Sequence, residues 1–150
     1  MQRGMGLGVS ELEHMAKRCR RNIVKMVYNA KAGHPGGSLS AIDMLTGLYG
    51  HRLRVDPDQP DWADRDRFIM SKGHASPGVY AILHERGFLS ESDLQTFRKL
   101  GGPCQGHVDM KWCPGVDFSA GSLGMGLSFG IGCSLAATLD GSERTAWVML

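Results

Sequence analysis

Apolar residues recur every three or four positions between Ser10 and Gly33, a spacing typical of one long amphipathic helix. The apolar positions are Leu12, Met15, Ala16, Cys19, Ile23, Met26, Val27 and Ala30. Ser10 and Glu13 have the spacing of a capping box, which predicts that the helix begins at Ser10. Gly33 is expected to end it, and the HPGG sequence at residues 34–37 is not expected inside a helix.

The next part of the chain alternates between helical and extended patterns. Apolar residues at helical spacing indicate a second helix over residues 40–49. Residues 55–66 contain two prolines and five aspartates, which are typical of a surface loop. The apolar run over residues 67–71 is most simply a buried strand.

A Ser-Pro pair shortly after this strand marks the start of another helix. Ser76 is expected to cap it and Pro77 to open it, because proline at the first helical position gives up no needed hydrogen bond. The helix is expected to end at Gly87, and a further helix is predicted over residues 90–102. A loop of about twenty residues then leads to Gly121, and loops of this length in compact domains are often functional.

The helix predicted over residues 123–139 is rich in small residues, namely Gly124, Gly126, Gly130, Gly132, Ala136 and Ala137. Glycine is a weak helix former, so this composition makes sense where another backbone or a ligand must come very close. The apolar run over residues 145–150 predicts a second strand.

Strands separated by long helical crossovers favour an α/β fold, with a buried parallel sheet flanked by helices. Residues 1–9 are expected to be a flexible N-terminus, and residues 10–150 one domain. A parallel sheet of two strands is too small to stand alone, so the domain is expected to be incomplete at its C-terminus.

Composition and charge narrow the class of protein. The chain of 150 residues is 42% hydrophobic and has a formal charge of +2. Its basic residues are spread out apart from the cluster at residues 17–21, which suits a solvated helix face, and no nucleic-acid partner is expected. No apolar run approaches the length of about 18 residues that a membrane span needs. The four cysteines show no disulfide spacing, so a cytoplasmic location is expected.

Three of the six histidines follow a glycine in a junction between elements: His34, His74 and His107. Glycine lets the backbone approach a ligand closely, and imidazole supplies a directed donor near physiological pH. His74 is the most suggestive, because it follows a predicted strand, and ligands of parallel sheets bind beyond the carboxyl ends of strands. The residues themselves therefore predict an anion or cofactor site.

Four segments resemble consecutive motifs of the transketolase N-terminal domain, in the order and at the approximate spacing of that family. They are AGHPGGSLSAIDML at residues 32–45, DRFIMSKGHASPGVYAIL at 66–83, LGGPCQGHVDM at 100–110 and SAGSLGMGLSFGIGCSLA at 119–136. The chain is similar above all to the split form of the family, in which the N- and C-terminal halves are separate chains. The resemblance implies the thiamine diphosphate-binding fold, with this chain as its diphosphate-binding domain.

The resemblance also implies roles for particular residues. His34 would lie near the thiazolium and the substrate, and His74 would contact the cofactor diphosphate. His107 would donate to the C1 hydroxyl of the donor ketose. The backbone of Gly121, Ser122 and Leu123 would approach the cofactor, and Gly124 would open the following helix.

The activity implied is transfer of a two-carbon ketol unit from a ketose to an aldose, with thiamine diphosphate and Mg²⁺ as cofactors. The implied partners are a transketolase C-terminal subunit or domain and sugar phosphate substrates, in a dimer or heterotetramer. The family's metal-binding G-D-G motif and Asn are expected beyond residue 150, so no metal ligand is assigned here. The 150 residues alone are therefore expected to be inactive. Two positions depart from the family pattern: Val108 stands where most members have proline, and Met125 where they have glutamine.

A nicotinamide-dependent oxidoreductase is one alternative, because residues 124–130 form a G-x-G-x-x-x-G string that opens a helix. That fingerprint needs a preceding strand, and residues 116–120 make a poor one. Glu143 lies at a suitable distance, but it precedes the next strand instead of ending it.

Two further alternatives concern binding and scaffolding. Cys104, His107 and Cys113 could form a zinc site, although structural zinc needs four ligands and no fourth is evident. A non-catalytic pseudo-subunit is also compatible with the sequence, because the residues that would decide it are expected beyond residue 150.

Overall fold

The fold is known from a computed structural model that describes residues 6–150. Its helices are α1 (Val9–Ala30), α2 (Pro35–Gly47), α3 (Ser76–Glu85), α4 (Glu91–Leu94) and α5 (Met125–Leu139). Its strands are β1 (Arg67–Met70) and β2 (Ala146–Met149). A π-helical turn, Leu48–Arg52, extends α2, and a 3₁₀ turn, Gly73–Ala75, precedes α3.

Helix α1 begins one residue before its predicted start, and the proposed capping box of Ser10 and Glu13 is wrong. The Gly8 amide instead donates to the Glu11 carboxylate at 2.9 Å, which satisfies one free N–H at the helix start. The buried face is Met15, Ala16, Cys19, Ile23 and Met26, as the apolar periodicity predicts. Of the predicted flexible segment 1–9, residues 1–5 lie outside the described part of the chain.

Helix α2 corrects the prediction that residues 34–37 lie outside any helix. It begins at Pro35, five residues before the predicted start, with His34 as its N-terminal flanking residue. Proline fits the first helical position because its fixed φ is already helical and its missing N–H would be unpaired there. The Ser38 hydroxyl donates to the His34 carbonyl at 3.2 Å within this first turn.

Two further boundaries differ from the sequence predictions. Ser76 is the first residue of α3 and not its cap, because its hydroxyl donates to the Gly106 carbonyl at 2.9 Å. Ser90 does cap α4 and accepts from the Asp93 amide at 3.1 Å, but α4 ends at Leu94 and does not reach residue 102. Arg98 and Gly101 have φ of 60° and 80°, which turn the chain out of a helix.

Strands β1 and β2 are parallel neighbours, paired from Arg67 with Ala146 to Met70 with Met149. Both strands and their parallel order confirm the predicted α/β class. One face of β1, with Phe68 and Met70, belongs to the main core together with the buried residues of α1, α2 and α3. The sheet is thus covered by helices on that face and by α5 on the other.

The small residues of α5 allow its backbone to approach the sheet. A Cβ at Gly130 would lie 2.4 Å from Val148 Cγ2, and one at Gly126 would lie 2.7 Å from Ser71 Cβ. The Gly126 amide also donates to the Ser71 hydroxyl at 3.1 Å. The close approach predicted from the glycines is therefore made by the sheet on this side of the helix.

Buried ion pairs hold the amino ends of both strands, which corrects the prediction that all of residues 55–66 form a surface loop. The Arg65 guanidinium donates twice to the Asp117 carboxylate, at 2.6 and 3.0 Å, and both side chains are nearly buried. Asp66 accepts from the Arg54 side chain and from the Thr145 amide, the latter at 2.9 Å. The two carboxylates thereby connect β1 to the long loop and to β2.

Nothing among the helices of residues 6–150 has both the length and the apolar character of a membrane-crossing segment.

We predict that Asp117→Ala destabilises the fold strongly, by about 3–5 kcal/mol, because it leaves the Arg65 charge buried without a partner. It also removes the acceptor of the Phe68 amide, which donates to Asp117 at 2.9 Å. The matched control is Asp43→Ala, which breaks the ion pair with Arg20 on the surface and should cost less than about 1 kcal/mol. Urea unfolding measures both, and equal losses in the two variants would contradict the role given to the buried pair.

Candidate functional site

The three glycine-histidine junctions come together at one end of the sheet. The rings of His34 and His74 lie edge to face with their centroids 5.3 Å apart. His107 is close enough to His74 to influence its protonation, as is Lys72. Four basic side chains from three separate segments therefore converge, as the glycine-histidine pattern predicts.

Each histidine reaches this position through a different local structure. His34 immediately precedes the first turn of α2. His74 lies in the 3₁₀ turn that follows the carboxyl end of β1, which is where parallel sheets place their ligands. His107 lies on the irregular loop between α4 and α5. His34 and His107 are exposed and His74 is partly buried.

Two hydroxyl groups of α3 fix the backbone on either side of His107. The Tyr80 hydroxyl lies 2.9 Å from the Gln105 carbonyl and 3.1 Å from the His107 carbonyl, and it can donate to either. The Ser76 hydroxyl donates to the Gly106 carbonyl. Burial raises the pKa of Tyr80, so its hydroxyl keeps its proton and remains a donor.

The turn at residues 121–124 is placed by contacts of the residue before it. The Ala120 amide donates to the Val108 carbonyl at 3.0 Å, which connects this turn to the segment that carries His107. Gly73 packs so closely on Ala120 that a Cβ at Gly73 would lie 2.6 Å from the Ala120 carbonyl oxygen. Glycine beside His74 is therefore required by the contact between the two turns.

The backbone of residues 121–124 faces open space. A Cβ at Gly121 or Gly124 would meet no other atom within 4 Å, and Ser122 and Leu123 are exposed. Gly124 has φ of 84°, a left-handed conformation that glycine adopts without strain, and it leads directly into α5. A ligand can thus reach the peptide groups of this turn at the positive end of a helix.

Burial lowers the pKa of His74, and the nearby His34, His107 and Lys72 lower it further. The charged form of His74 is disfavoured because it would be partly desolvated beside other basic groups. A bound anion would reverse that effect, since it would stabilise positive charge on His74. The electrostatics of the site therefore fit a ligand with several negative charges.

The backbone beside His74 leaves one of its ring nitrogens accessible. A Cβ at Gly37 would lie 3.4 Å from His74 Nε2, so the absence of a side chain there leaves room for a hydrogen-bond acceptor to approach this nitrogen. The described side chains do not form a comparable site for a metal ion. Within residues 6–150, His, Cys, Asp and Glu side chains form no group of three or more that could hold a metal ion.

Comparison with known proteins decides the family. Residues 12–143 match the family model described as transketolase, thiamine diphosphate binding domain. The chain belongs to this transketolase family. The resemblance stated from the four motifs is thereby confirmed.

The most similar relatives include two named as subunits. The chain is 40% identical to one subunit of the apulose-4-phosphate transketolase of Phocaeicola vulgatus over 142 residues, which cover 95% of this chain and 50% of the relative. It is 35% identical to the 6-deoxy-6-sulfo-D-fructose transketolase subunit SqwG of a Clostridium species, covering 93% of this chain and 51% of the relative. The chain therefore spans about half the length of these relatives.

Solved structures agree with this membership. The transketolase from Campylobacter jejuni superimposes with a TM-score of 0.88 at 32% identity, covering 95% of this chain and 23% of that one. The α/β fold expected from the family is confirmed by this likeness.

The structure does not favour the two alternative binding chemistries. Residues 116–120 form no strand before the Gly124 turn, so the strand-turn-helix unit of a nicotinamide site is missing. Cys104 and Cys113 are buried thiols whose pKa burial raises, whereas His107 is exposed, and the three form no metal-binding group in the described residues.

The two departures from the family pattern occupy different environments. Val108 is 2% exposed and belongs to the main core, so this position contributes packing. Met125 is exposed at the first turn of α5, beside the open turn at residues 121–124. Of the two, only Met125 can directly alter the surroundings of a ligand there.

The sequence reasoning missed Ser76, Tyr80 and Lys72. Ser76 and Tyr80 are four residues apart on α3 and so lie on one face of the helix, which was the available signal. The role of each hydroxyl depends on a loop about thirty residues further along the chain, which local patterns do not reveal. Lys72 belongs to the K-G-H sequence, and its nearness to His74, whose pKa it lowers, could have been read from that sequence.

We predict that Gly37→Ala weakens binding of thiamine diphosphate about tenfold, because the new methyl occupies the approach to His74 Nε2. Gly36→Ala is the matched control, since a Cβ there meets no atom within 4 Å. Isothermal titration of both variants in the complete enzyme measures the effect. A cofactor affinity that is unchanged in Gly37→Ala, or equally lowered in Gly36→Ala, would contradict the position given to the ligand.

Proposed function

We propose that this chain holds the diphosphate end of thiamine diphosphate in a transketolase-type transferase, which moves a two-carbon ketol unit from a ketose to an aldose. The observation that carries the proposal is the convergence of His34, His74, His107 and Lys72 beside the open turn at residues 121–124. This basic site lies beyond the carboxyl end of β1 in a chain of the transketolase family. The activity, the substrates and the assembly belong to the whole enzyme and are part of the proposal.

We assign the diphosphate to His74 and to the peptide N–H groups of Gly121, Ser122 and Leu123, with Gly124 opening α5. A histidine with a lowered pKa is neutral at physiological pH and can donate one ring N–H to an oxygen of the ligand. Peptide groups at a helix start attract negative charge without needing a counter-ion. Thiamine diphosphate, when bound, supplies the stabilisation of carbanion character that cleavage next to a ketone requires.

His34 and His107 are proposed to act on the substrate. Both are exposed, whereas His74 is partly buried. The Tyr80 hydroxyl holds the backbone of His107 through the His107 carbonyl. This contact positions the His107 ring to donate to a substrate hydroxyl. His34 would orient the substrate and exchange a proton with it, a role for which imidazole is suited near neutral pH.

A partner polypeptide is proposed, since two relatives are named as transketolase subunits. The outer side of α5 supports this proposal because it exposes leucines and isoleucine at four-residue spacing: Leu127, Ile131, Leu135 and Leu139. An apolar stripe of this kind is typical of a helix that packs against further protein. We propose a C-terminal subunit or domain as the partner, in a dimer or heterotetramer.

The remaining expectations are also proposals. Sugar phosphates are proposed as substrates, and a Mg²⁺ ion is proposed to accompany the cofactor with ligands supplied from outside residues 6–150. A cytoplasmic location is proposed because the four cysteines are free thiols.

In the complete enzyme, His74→Ala is predicted to weaken cofactor binding by about tenfold or more, because a directed donor to the diphosphate is lost. His107→Ala is predicted mainly to lower turnover while cofactor affinity stays within about twofold. His51→Ala, at an exposed position in the π-helical turn, is the control. Cofactor titration and steady-state kinetics separate the two effects, and wild-type affinity and rate in both variants would show the assignment to be wrong.

Binding of thiamine diphosphate is predicted to take up a proton at His74. Its pKa is lowered in the free protein, and the bound anion raises it again, so the affinity should increase as the pH falls below about 6.5. Protonation of the diphosphate itself acts in the opposite direction, and His74→Gln measures that background. A pH dependence of the dissociation constant that is identical in the wild-type and variant proteins would exclude proton uptake by His74 on binding.

A further inference from the structure

A pocket of about 340 Å³ lies between the second half of α1 and the segment at residues 91–99, which contains α4. Its volume falls in the range of about 300–1,000 Å³ that is typical of small-molecule sites. The residues that line it belong to these two segments and differ from those of the proposed cofactor site. The pocket is therefore a second candidate ligand site, to which the proposed function gives no role.

The floor of this pocket is apolar. It is formed by Met26 from α1 and by Leu94 and Phe97 from the opposite wall, and each of these side chains is almost fully packed into the main core. A flat ligand that lies on such a floor removes apolar surface from water, which favours binding. The floor thus suits a planar or apolar ligand body.

Three carboxamide side chains surround the floor, namely Asn22 and Asn29 from α1 and Gln95 from the opposite wall. Each carries two N–H donors and one carbonyl acceptor in a single plane. Asparagine and glutamine pair with the edges of nucleobases because those edges also present donors and acceptors side by side. The lining therefore matches a planar heterocycle with polar edges.

Three charged side chains complete the lining, Lys25 on α1 and Glu91 and Lys99 on the opposite wall. All three are exposed, and the ion pairs within residues 6–150 involve none of them. Lysine ammonium groups bind phosphate oxygens, and a carboxylate is a common acceptor for ribose hydroxyls. Together with the carboxamides, these groups match the base, the sugar and the phosphate of a nucleotide.

Phe97 connects the pocket to two histidines of the proposed cofactor site. Its ring lies so close to Gly33, the residue before His34, that a Cβ there would be 3.2 Å from Phe97 Cε1. The ring also packs edge to face on Tyr80, with the centroids 6.3 Å apart. The Tyr80 hydroxyl in turn lies 3.1 Å from the His107 carbonyl. A ligand that rests on Phe97 thus acts on the backbone at both histidines.

We infer that this pocket binds a nucleoside monophosphate and that the bound nucleotide supports ketol transfer. The two lysines hold its phosphate, Glu91 accepts from its ribose, and the carboxamides pair with its base. The bound nucleotide keeps Phe97 in place and thereby stabilises the positions of His34 and His107. Phe97 is a positioning residue and contacts neither cofactor nor substrate. The effect on the reaction rests on the proposed function, whereas the nucleotide site itself does not.

The nucleotide site is tested by isothermal titration of the complete enzyme, saturated with thiamine diphosphate, with AMP, GMP, CMP and UMP in turn. At least one should bind with a Kd below about 1 mM, and its nucleoside should bind about tenfold more weakly. Lys25→Gln and Lys99→Gln should each weaken nucleotide binding about three- to tenfold, because each removes a contact to the phosphate. Lys17→Gln is the matched control, since Lys17 is an exposed lysine of α1 outside the pocket, and it should leave the Kd unchanged.

The effect on the reaction is tested by steady-state kinetics with one ketose and one aldose. The saturating nucleotide should raise kcat/KM for the ketose about fivefold, mainly through kcat, because both histidines are proposed to act on the substrate. The double variant Lys25→Gln, Lys99→Gln should lose this increase and keep the wild-type rate without nucleotide. Phe97→Leu should retain nucleotide affinity within about threefold and also lose the increase.

The site would be overturned if none of the four nucleotides bound, or if Lys17→Gln weakened binding as much as the two pocket variants did. Nucleotide binding that thiamine diphosphate displaces would place the nucleotide in the cofactor site, and this too would overturn the assignment. An unchanged kcat/KM with bound nucleotide would overturn the coupling through Phe97. An enzyme that transfers no ketol unit would instead overturn the proposed function, and the titration would still report on the nucleotide site.

Discussion

The paired hydrogen bonds between Arg65 and Asp117 determine where the long loop between α4 and α5 lies. Arg65 immediately precedes Asp66 and β1, whereas Asp117 belongs to the loop, and both side chains are nearly buried. The same carboxylate accepts a hydrogen bond from the Phe68 amide, so the loop is hydrogen-bonded to the strand itself. Removal of one partner from a buried ion pair strongly destabilises the fold, because the other charge stays buried without a partner. The position of the loop is therefore a property of the sheet as much as of the loop sequence.

The candidate site depends on this arrangement because the loop carries both His107 and the turn at residues 121–124. The turn is bonded to the His107 segment through Ala120 and Val108, and α3 holds that segment through Tyr80. Neither the turn nor the His107 segment belongs to a helix or strand, so both are positioned by the residues that contact them. The result places His74 beside His34, His107 and Lys72, which disfavour its charged form until an anion binds.

Much of this could be predicted from the sequence, because hydrophobic periodicity is local and glycines mark where a backbone must bend or come close. Both strands, their parallel order and the meeting of His34, His74 and His107 follow from such signals. The start of α2 at Pro35 could not be predicted with the same rules, since HPGG also suits a loop. Asp117 was equally hidden, because a buried aspartate looks like a surface one until its arginine partner is known.

A crystal structure of the complete enzyme with thiamine diphosphate would test the central claim most directly. The account predicts a diphosphate oxygen within about 3.2 Å of a His74 ring nitrogen, and others within the same distance of peptide N–H groups in residues 121–123. A diphosphate bound away from both His74 and this turn would contradict it.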